Sequence, residues 1–286
     1  MLSPWDHLDF HGTMEEYFLA KRRLFMGAAP PPAAVNVGDA WGRQLAEELT
    51  DTNRAPLITF GFPDDAEIRP DELVLAGSGA RFKAGGIEIE TSLRGRFNVE
   101  NVLGAIAAGI LLDVGEDEIA AGVRGLPGVP GRFEAVEEGQ PFAVVVDYAH
   151  TPDSLDNVLR TAREIADGRV LVVFGAGGDR DRSKRPLMGK IAADLADVVI
   201  VTSDNPRSED PLAIIQDILQ GAGTDVEIDP DRTSAIARAA ELAQPGDVVV
   251  IAGKGHEQGQ EVGAEKLPFD DRVVAREALR LLRRGA

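Results

Sequence analysis

The segment Val198-Val199-Ile200-Val201-Thr202-Ser203-Asp204-Asn205-Pro206-Arg207 joins an apolar run to a polar turn. A short run of β-branched residues that ends in a turn cluster predicts a buried strand entering a loop. Ligands of open α/β sheets bind at the carboxyl ends of the strands, so this loop is a candidate binding site. Arg207 can pair with a ligand carboxylate through its planar guanidinium, and Asp204 can accept from an ammonium group. The loop therefore suits a ligand that carries both groups.

A purely structural interpretation of the same loop stays open. Pro206 has a fixed φ angle and no N–H, which suits a rigid turn as well as a binding loop. Asp204 or Ser208 is a candidate N-cap for the helix expected to begin near Pro211. On these residues alone, neither interpretation excludes the other.

The composition limits the class of protein. The 286 residues are enough for one large or two ordinary domains with apolar cores. A net charge of -18 makes nucleic acid an unfavourable partner, because a polyanion is repelled by such a surface. The sequence has neither an apolar run long enough to span a bilayer nor a signal peptide, so we expect no membrane partner. The absence of cysteine excludes thiolate chemistry and fits a cytoplasmic location.

The spacing of apolar residues predicts an α/β protein with two domains. The first part is expected to hold helices at 13–26, 39–49, 98–112 and 116–124 and strands at 34–37, 58–62 and within 72–90. A Gly/Pro joint at 126–131 is the best candidate for a domain boundary. After it, strands at 143–147, 169–174, 197–202 and 247–252 alternate with helices at 152–166, 185–195, 211–221, 232–243 and about 271–283. This alternation predicts a mostly parallel sheet covered by helices on both faces.

Polar loops follow four of the predicted parallel strands, so all four are expected at one edge of the sheet. They begin near Asp147, Gly175, Ser203 and Gly253. The repeated occurrence of charged residues at one edge favours a functional site over four unrelated turns. The glycines at 175–178 precede a basic cluster of Arg180, Arg182, Lys184 and Arg185, which suits an anion. Lys254, between two glycines, is predicted to be a further anion contact.

Two histidines near the start of the chain are a weaker candidate. His7 and His11 are four residues apart, a spacing that would suit a metal ion on a helix. Gly12 and the N-cap expected at Thr13 place both before the first predicted helix, which leaves a structural role open.

Six motifs, in the same order along the chain, resemble the Mur ligases of the MurE type. They are Asp6-His7-Leu8-Asp9-Phe10-His11-Gly12-Thr13-Met14-Glu15 with Ala20-Lys21, Gly95-Arg96-Phe97-Asn98-Val99-Glu100-Asn101, Gly131-Arg132-Phe133-Glu134, Asp147-Tyr148-Ala149-His150-Thr151-Pro152, Gly177-Gly178-Asp179-Arg180-Asp181 and Asp204-Asn205-Pro206-Arg207. Mur ligases are ATP-dependent amino-acid ligases of peptidoglycan synthesis with three domains. The resemblance implies an α/β chain in which part of the central ATPase domain, 1–127, precedes a Rossmann-like, mostly parallel sheet domain, 128–286, that binds the amino acid.

The resemblance also implies roles for individual residues. His7 is expected to bind a catalytic Mg²⁺, and Lys21 to be the lysine that the family carbamylates to support a second Mg²⁺. The residues expected near ATP are Asn98, Asn101, Arg132 and Asp147, with His150 as a catalytic residue of the same cleft. Those expected around the incoming amino acid are Arg180, Asp204, Asn205, Pro206, Arg207, Gly253 and Glu257. The Asp-Asn-Pro-Arg form is associated with meso-diaminopimelate, whose second carboxylate gives Arg207 a partner that lysine lacks.

The implied reaction joins meso-diaminopimelate to the dipeptide substrate UDP-MurNAc-L-Ala-D-Glu at the expense of ATP. The sequence has no phosphate loop of the Gly-x-Gly-Lys-[Ser/Thr] type, and neither the glutamate that binds both metals nor the UDP-binding domain is recognisable. We therefore expect little or no ligase activity from this chain alone, since the phosphate loop holds the transferred group.

Other interpretations remain open at this point. One is a non-catalytic domain that binds an amino acid or a nucleotide. Another is a different amide ligase of the same superfamily, such as a folylpolyglutamate or cyanophycin synthetase, although these as a rule lack the Asp-Asn-Pro-Arg loop. A third is a gene product without function.

Overall fold

The computed structural model describes residues 11–76 and 79–285. The chain divides into two compact units, Met1–Gly128 and Val129–Ala286, and the division lies within the Gly/Pro segment 126–131. Each unit has an apolar core of its own.

The first unit combines helices with two small sheets. The helices are α1 (Met14–Arg22), α2 (Ala40–Thr52), α3 (Arg96–Leu111) and α4 (Glu116–Gly125). Strands β1 (Ala33–Asn36) and β2 (Leu57–Phe60) pair in parallel, whereas β3 (Asp71–Ala76), β4 (Gly79–Ala84) and β5 (Ile87–Thr91) form an antiparallel sheet. The apolar helix α3 buries Val99, Leu103 and Ile106 in the same core as Phe82 and Ile89 of the antiparallel sheet, which explains why its sequence is hydrophobic on more than one face.

The second unit is built around a six-stranded sheet of order β10-β9-β8-β11-β7-β6. Its strands are β6 (Glu134–Ala135), β7 (Ala143–Asp147), β8 (Val170–Phe174), β9 (Val198–Val201), β10 (Glu227–Ile228) and β11 (Val248–Ala252). All neighbours run parallel except β6, which is antiparallel to β7. The helices are α5 (Pro152–Ile165), α6 (Lys184–Leu195), α7 (Pro211–Ala222), α8 (Arg232–Leu242) and α9 (Asp271–Gly285), and a hairpin of β12 (Gly259–Val262) and β13 (Glu265–Pro268) lies before α9.

The central strands read as nearly continuous Val/Ile runs because helices cover the sheet on both faces. Every residue of β8 and β11 is buried. On one face Val173, Ile200 and Ile251 share a core with alanines of α8 and α9. Strand β11 comes last in the chain but lies between β7 and β8, so the loop that follows it lies between the loops of two earlier strands.

Three details differ from the sequence-based expectations. Helix α7 is capped by Asp210, whose side chain accepts a 3.0 Å hydrogen bond from Leu212 N, so neither Asp204 nor Ser208 is the N-cap. The first helix was expected over 13–26 and ends at Arg22, before the glycine and prolines that follow. The β12–β13 hairpin was not predicted. Within the described ranges, every helix is too short or too polar to span a bilayer.

Candidate functional site

The four polar loops of the second unit lie side by side at the carboxyl edge of its sheet. Strands β9, β8, β11 and β7 are consecutive neighbours, and hydrogen bonds connect the loops that follow them. Gly178 N donates to Asn205 O at 2.8 Å, and Gly253 N donates to Asp147 O at 3.1 Å. The loops thus form one continuous polar surface, as the alternation of strands and helices predicts.

Asn205 lies at the centre of this surface and is almost fully buried. Its Oδ1 accepts hydrogen bonds from Lys254 Nζ at 2.6 Å and Glu261 N at 3.0 Å. Its Nδ2 donates to Glu257 Oε2 at 2.9 Å. These contacts leave one amide N–H of Asn205 and the second carboxylate oxygen of Glu257 for a ligand.

Arg207 is held from two sides by the neighbouring loops. Its Nη1 donates to Gly178 O at 2.8 Å, and its Nε lies 2.7 Å from Glu261 Oε2 on strand β12. The backbone has a φ of 51° and bonds in both directions to the hairpin, through Glu261 O and Gly263 N. Within the described ranges, Nη2 donates no hydrogen bond, so this part of the guanidinium remains for a carboxylate.

Asp204 is a buried carboxylate with an unsatisfied oxygen. The residue is 7% exposed, and Oδ2 accepts no hydrogen bond within the described part of the chain. A Cβ atom at residue 253 would stand 2.4 Å from this oxygen, so Gly253 is required for space. An unpaired buried acceptor is costly, and a ligand ammonium that reached Oδ2 would relieve that cost.

The basic cluster after β8 is largely neutralised by acidic partners. Arg182 pairs with Asp217 at 2.9 Å, Lys184 Nζ donates to His150 O at 2.9 Å, and Arg185 pairs with Glu209 and Asp217. The interpretation of these three side chains as one anion site is therefore wrong, because each already pairs with another loop or helix of the protein. Arg185 lowers the pKa of the Glu209 carboxyl to about 2.

Arg180 is exposed, as is Arg182, but its contacts differ from those of the paired cluster members. Its side chain makes a long bond, Nη1 to Asp179 O at 3.4 Å. A Cβ atom at residue 177 would meet Arg207 Nη1 at 3.0 Å and Arg180 Cγ at 3.7 Å. Both arginine side chains thus pass close to Gly177.

Asp147 and its neighbours form the far end of the same edge, at β7. Asp147 Oδ2 accepts from Phe133 N at 2.7 Å, and burial raises the pKa of this carboxyl to about 6. The Arg132 guanidinium lies 5.0 Å from the ring centroid of Tyr148, and that ring lies 4.5 Å from the His150 ring. His150 Nδ1 is 2.8 Å from Tyr148 O. This arrangement presents an aromatic and cationic surface next to a carboxylate that is turned toward the backbone.

Asn98, Asn101 and Lys21, which the resemblance assigns to the ATP and metal sites, belong to the first unit. Asn98 is buried, with Nδ2 donating to Arg94 O at 2.8 Å and Oδ1 accepting from Asn101 Nδ2 at 3.3 Å. Lys21 Nζ lies 5.4 Å from the ring centroid of Tyr17. His7 lies outside the described residues. The residues that the structure describes contain no group of three His, Cys, Asp or Glu side chains that could hold a metal.

One supporting feature of the edge was not found in the sequence, and the role of another was predicted wrongly. Arg232 and Asp271 are fully buried and form a bidentate ion pair at 2.7 and 2.8 Å. Arg232 also donates to the backbone oxygens of Ser203 and Ala252, and so connects the loop after β9 to the end of β11. Lys254 was predicted as an anion contact, and this is wrong: the side chain is fully buried and bonds to Asn205 and to Gly259 O.

Comparison with known proteins defines the class to which this fold and edge belong. Residues 4–109 match the model of the Mur ligase middle domain. Residues 131–255 match the model of the Mur ligase, glutamate ligase domain. The chain belongs to the Mur ligase family.

Two similar relatives are both named UDP-N-acetylmuramoyl-L-alanyl-D-glutamate--2,6-diaminopimelate ligase. The protein of Solibacter usitatus (strain Ellin6076) is 48% identical over 285 residues, which are 96% of this chain and 57% of the relative. The protein of Streptomyces coelicolor is 46% identical over 294 residues, which are 98% of this chain and 57% of the relative. The chain therefore spans little more than half the length of these curated relatives.

Solved structures show the same fold. The structure of a protein with the same name is 39% identical and has a TM-score of 0.62, and the match covers 97% of this chain and 58% of that protein's chain. The pseudomurein peptide ligase type C from Methanothermus fervidus has a TM-score of 0.70 at 17% identity, over 98% of this chain and 62% of its own. The second likeness is one of fold alone.

Proposed function

We propose that this chain provides the amino-acid site and part of the ATP site of a ligase that adds meso-diaminopimelate to UDP-MurNAc-L-Ala-D-Glu. In the reaction, a carboxylate of the dipeptide substrate takes the terminal phosphoryl group of ATP. The free amine of diaminopimelate then attacks the acyl phosphate, an amide bond forms, and phosphate leaves. Residues 1–127 are assigned to the ATPase part and residues 128–286 to the amino-acid part.

The observation that carries the proposal is the set of complementary groups at the carboxyl edge of the second unit. The remaining Asn205 N–H suits a carboxylate, and the second oxygen of Glu257 suits the neighbouring ammonium. The adjacent buried carboxylate of Asp204 adds a negative charge that favours an ammonium group. Arg180 and Arg207 supply cations for a second carboxylate. This alternation of donors and acceptors matches a ligand with two amino-acid groups, and Pro206 keeps the loop rigid between them.

The ATP assignment is carried by the resemblance and by the surface around β7. Arg132, beside the Tyr148 ring, is proposed to offset phosphate charge, with Asp147 and His150 lining the same cleft. Asn98 and Asn101 are proposed to lie near the adenine. The magnesium ions stay a prediction of the resemblance, with His7 and the carbamylated Lys21 as supports, and no step is assigned to them. A cytoplasmic location is also part of the proposal.

Calorimetric titration of the chain with meso-diaminopimelate tests the proposal. The matched ligand is L-lysine, which lacks the second carboxylate. One charge-assisted bidentate contact contributes about 1.5–3 kcal/mol, so lysine is expected to bind about 10-fold to 150-fold more weakly. Equal affinity for both ligands, or no binding by a chain that is folded by circular dichroism, would contradict the proposal.

A non-catalytic binding function is the second candidate. It is favoured by one observation, the absence of a Gly-x-Gly-Lys-[Ser/Thr] sequence. Such a domain would bind the amino acid as proposed but would not transfer phosphate. Both the ligase and the non-catalytic alternative predict that this chain alone binds the amino acid without turnover. Addition of a separately produced phosphate-loop domain distinguishes them, because turnover is then expected only of the ligase.

A further inference from the structure

Lys254 is a fully buried lysine at the centre of the amino-acid site. Its Nζ donates to Asn205 Oδ1 at 2.6 Å and to Gly259 O at 2.9 Å, and lies 3.8 Å from Glu257 Oε2. Lysine is almost never fully buried unless its charge is paired. Burial lowers the pKa of the ammonium, and the Asp204 carboxylate opposes that effect.

The contacts of Lys254 determine the orientation of the Asn205 amide. The two ends of an asparagine amide differ only in hydrogen bonding, so the surrounding donors and acceptors decide which end points where. Lys254 Nζ and Glu261 N are both donors, and both point at Oδ1. A reversed amide would place its NH₂ against two donors and its oxygen against the Glu257 carboxylate. The observed orientation is the one that satisfies all three neighbours.

The amide orientation in turn determines what a ligand meets. With Oδ1 occupied, Asn205 can only donate, and it does so to Glu257 Oε2. This bond also holds the Glu257 carboxylate in place. A ligand therefore finds one amide N–H and one carboxylate oxygen next to each other, a pair that suits the carboxylate and the ammonium of one amino-acid group.

We propose that Lys254 is a positioning residue of the amino-acid site, which fixes the Asn205 amide and, through it, the Glu257 carboxylate in their ligand-binding orientation. Lys254 does not contact the ligand, since its Nζ is enclosed by its own partners. The inference rests on the proposed function for the identity of the ligand. The orientation of Asn205 in the free protein does not depend on that identity.

The alternative is a purely structural role through Gly259. The bond from Lys254 Nζ to Gly259 O holds the start of the β12–β13 hairpin. If this were the whole role, removal of the ammonium would lower stability but leave the Asn205 amide where it is, because Glu261 N and Glu257 would still hold it.

The test compares Lys254→Met, which removes the donor at similar size, with Lys254→Arg, which retains a buried cation. The matched control is Arg169→Met. Arg169 forms another ion pair with a buried partner, Asp247, at 2.7 Å, and this pair lies at the opposite ends of the strands from the site. Selective ¹⁵N labelling of asparagine reports on the Asn205 side-chain amide, assigned by its loss in Asn205→Asp. In the free protein, Lys254→Met is expected to accelerate hydrogen exchange of this amide by about tenfold or more, the effect of losing a charge-assisted bond. Lys254→Arg and Arg169→Met are expected to leave it nearly unchanged.

Binding of meso-diaminopimelate is the second readout. Lys254→Met is expected to raise Kd about tenfold or more, with recovery in Lys254→Arg and no change in Arg169→Met. An unchanged Asn205 amide in folded Lys254→Met would overturn the positioning role. The two proposals can fail separately. If no protein, including the wild type, binds diaminopimelate but the Asn205 amide changes as expected, the proposed function is overturned and the positioning role stands. If Lys254→Met does not fold, Lys254→Leu, which also lacks a donor, takes its place in both readouts.

Discussion

Replacing Asp147 with asparagine is expected to remove part of the pH dependence of folding stability. The side chain is 6% exposed, and burial raises the pKa of its carboxyl from 3.8 to about 6. In the unfolded chain the group returns to its ordinary value. Between these two values the folded protein holds a proton that the unfolded chain has lost. The contribution of Asp147 to stability is therefore present at low pH and is lost as the pH rises to about 6.

The size of the effect follows from the shift. A change of about two pKa units corresponds to about 3 kcal/mol, of which about 2 kcal/mol falls between about pH 4.5 and pH 7. Asparagine does not titrate, so the free energy of unfolding of the wild type relative to Asp147→Asn should fall by this amount across the interval. Altered hydrogen bonding to Phe133 N affects the variant at both pH values and largely cancels in the difference. Urea unfolding of both proteins at the two pH values measures this difference in the free energy of unfolding.

Glu209→Gln is the matched control for this experiment. Arg185 lowers the pKa of Glu209 to about 2, so its stabilising effect is fully present above about pH 4.5 and is lost only as the pH falls further. The difference between the wild type and Glu209→Gln should thus stay constant between about pH 4.5 and pH 7. If the difference between the wild type and Asp147→Asn is also constant, or grows with pH, the burial argument for Asp147 is wrong.

Three further predictions concern recognition, stability and turnover. Arg207→Ala is expected to weaken binding of meso-diaminopimelate by about 1.5–3 kcal/mol while leaving lysine binding unchanged; equal losses for both ligands in calorimetry would argue against the assignment. Asp271→Asn should lower the free energy of unfolding by about 3–5 kcal/mol in urea, because it leaves Arg232 buried without its ion pair, whereas Glu227→Gln, at an exposed pair, should cost about 1 kcal/mol or less. The chain alone, given ATP, Mg²⁺ and both substrates, should release no phosphate above the enzyme-free rate, and release above that rate would refute the role assigned to the missing phosphate loop.

The sheet of the second unit could be predicted because its signal is local. Strand β7 is expected at 143–147 and is found there, since an apolar run bounded by turn residues identifies a buried strand. The position of β11 between β7 and β8 could not be predicted in the same way. It depends on which strands pair, and no pattern within a single strand specifies its neighbours.

The supporting contacts of the site could not be predicted because they join distant residues. Arg232 and Asp271 are 39 positions apart and pair only after α8 and α9 have packed on the sheet. The sequence around Lys254 suggests an exposed cation, because glycines on both sides usually mark a surface turn. The β12–β13 hairpin is polar and short, so it lacks the apolar alternation by which strands are recognised, yet it supplies the Glu261 contacts of Arg207 and Asn205.

The central claim is that the carboxyl edge of the second unit holds an amino acid with two carboxylates and two ammonium groups. A crystal structure of the chain grown with saturating meso-diaminopimelate tests it most directly. We predict one ligand carboxylate at hydrogen-bonding distance from Arg207, and the other amino-acid group between Asn205 and Glu257. A ligand bound elsewhere on the chain, or no ligand at this edge, would contradict the claim.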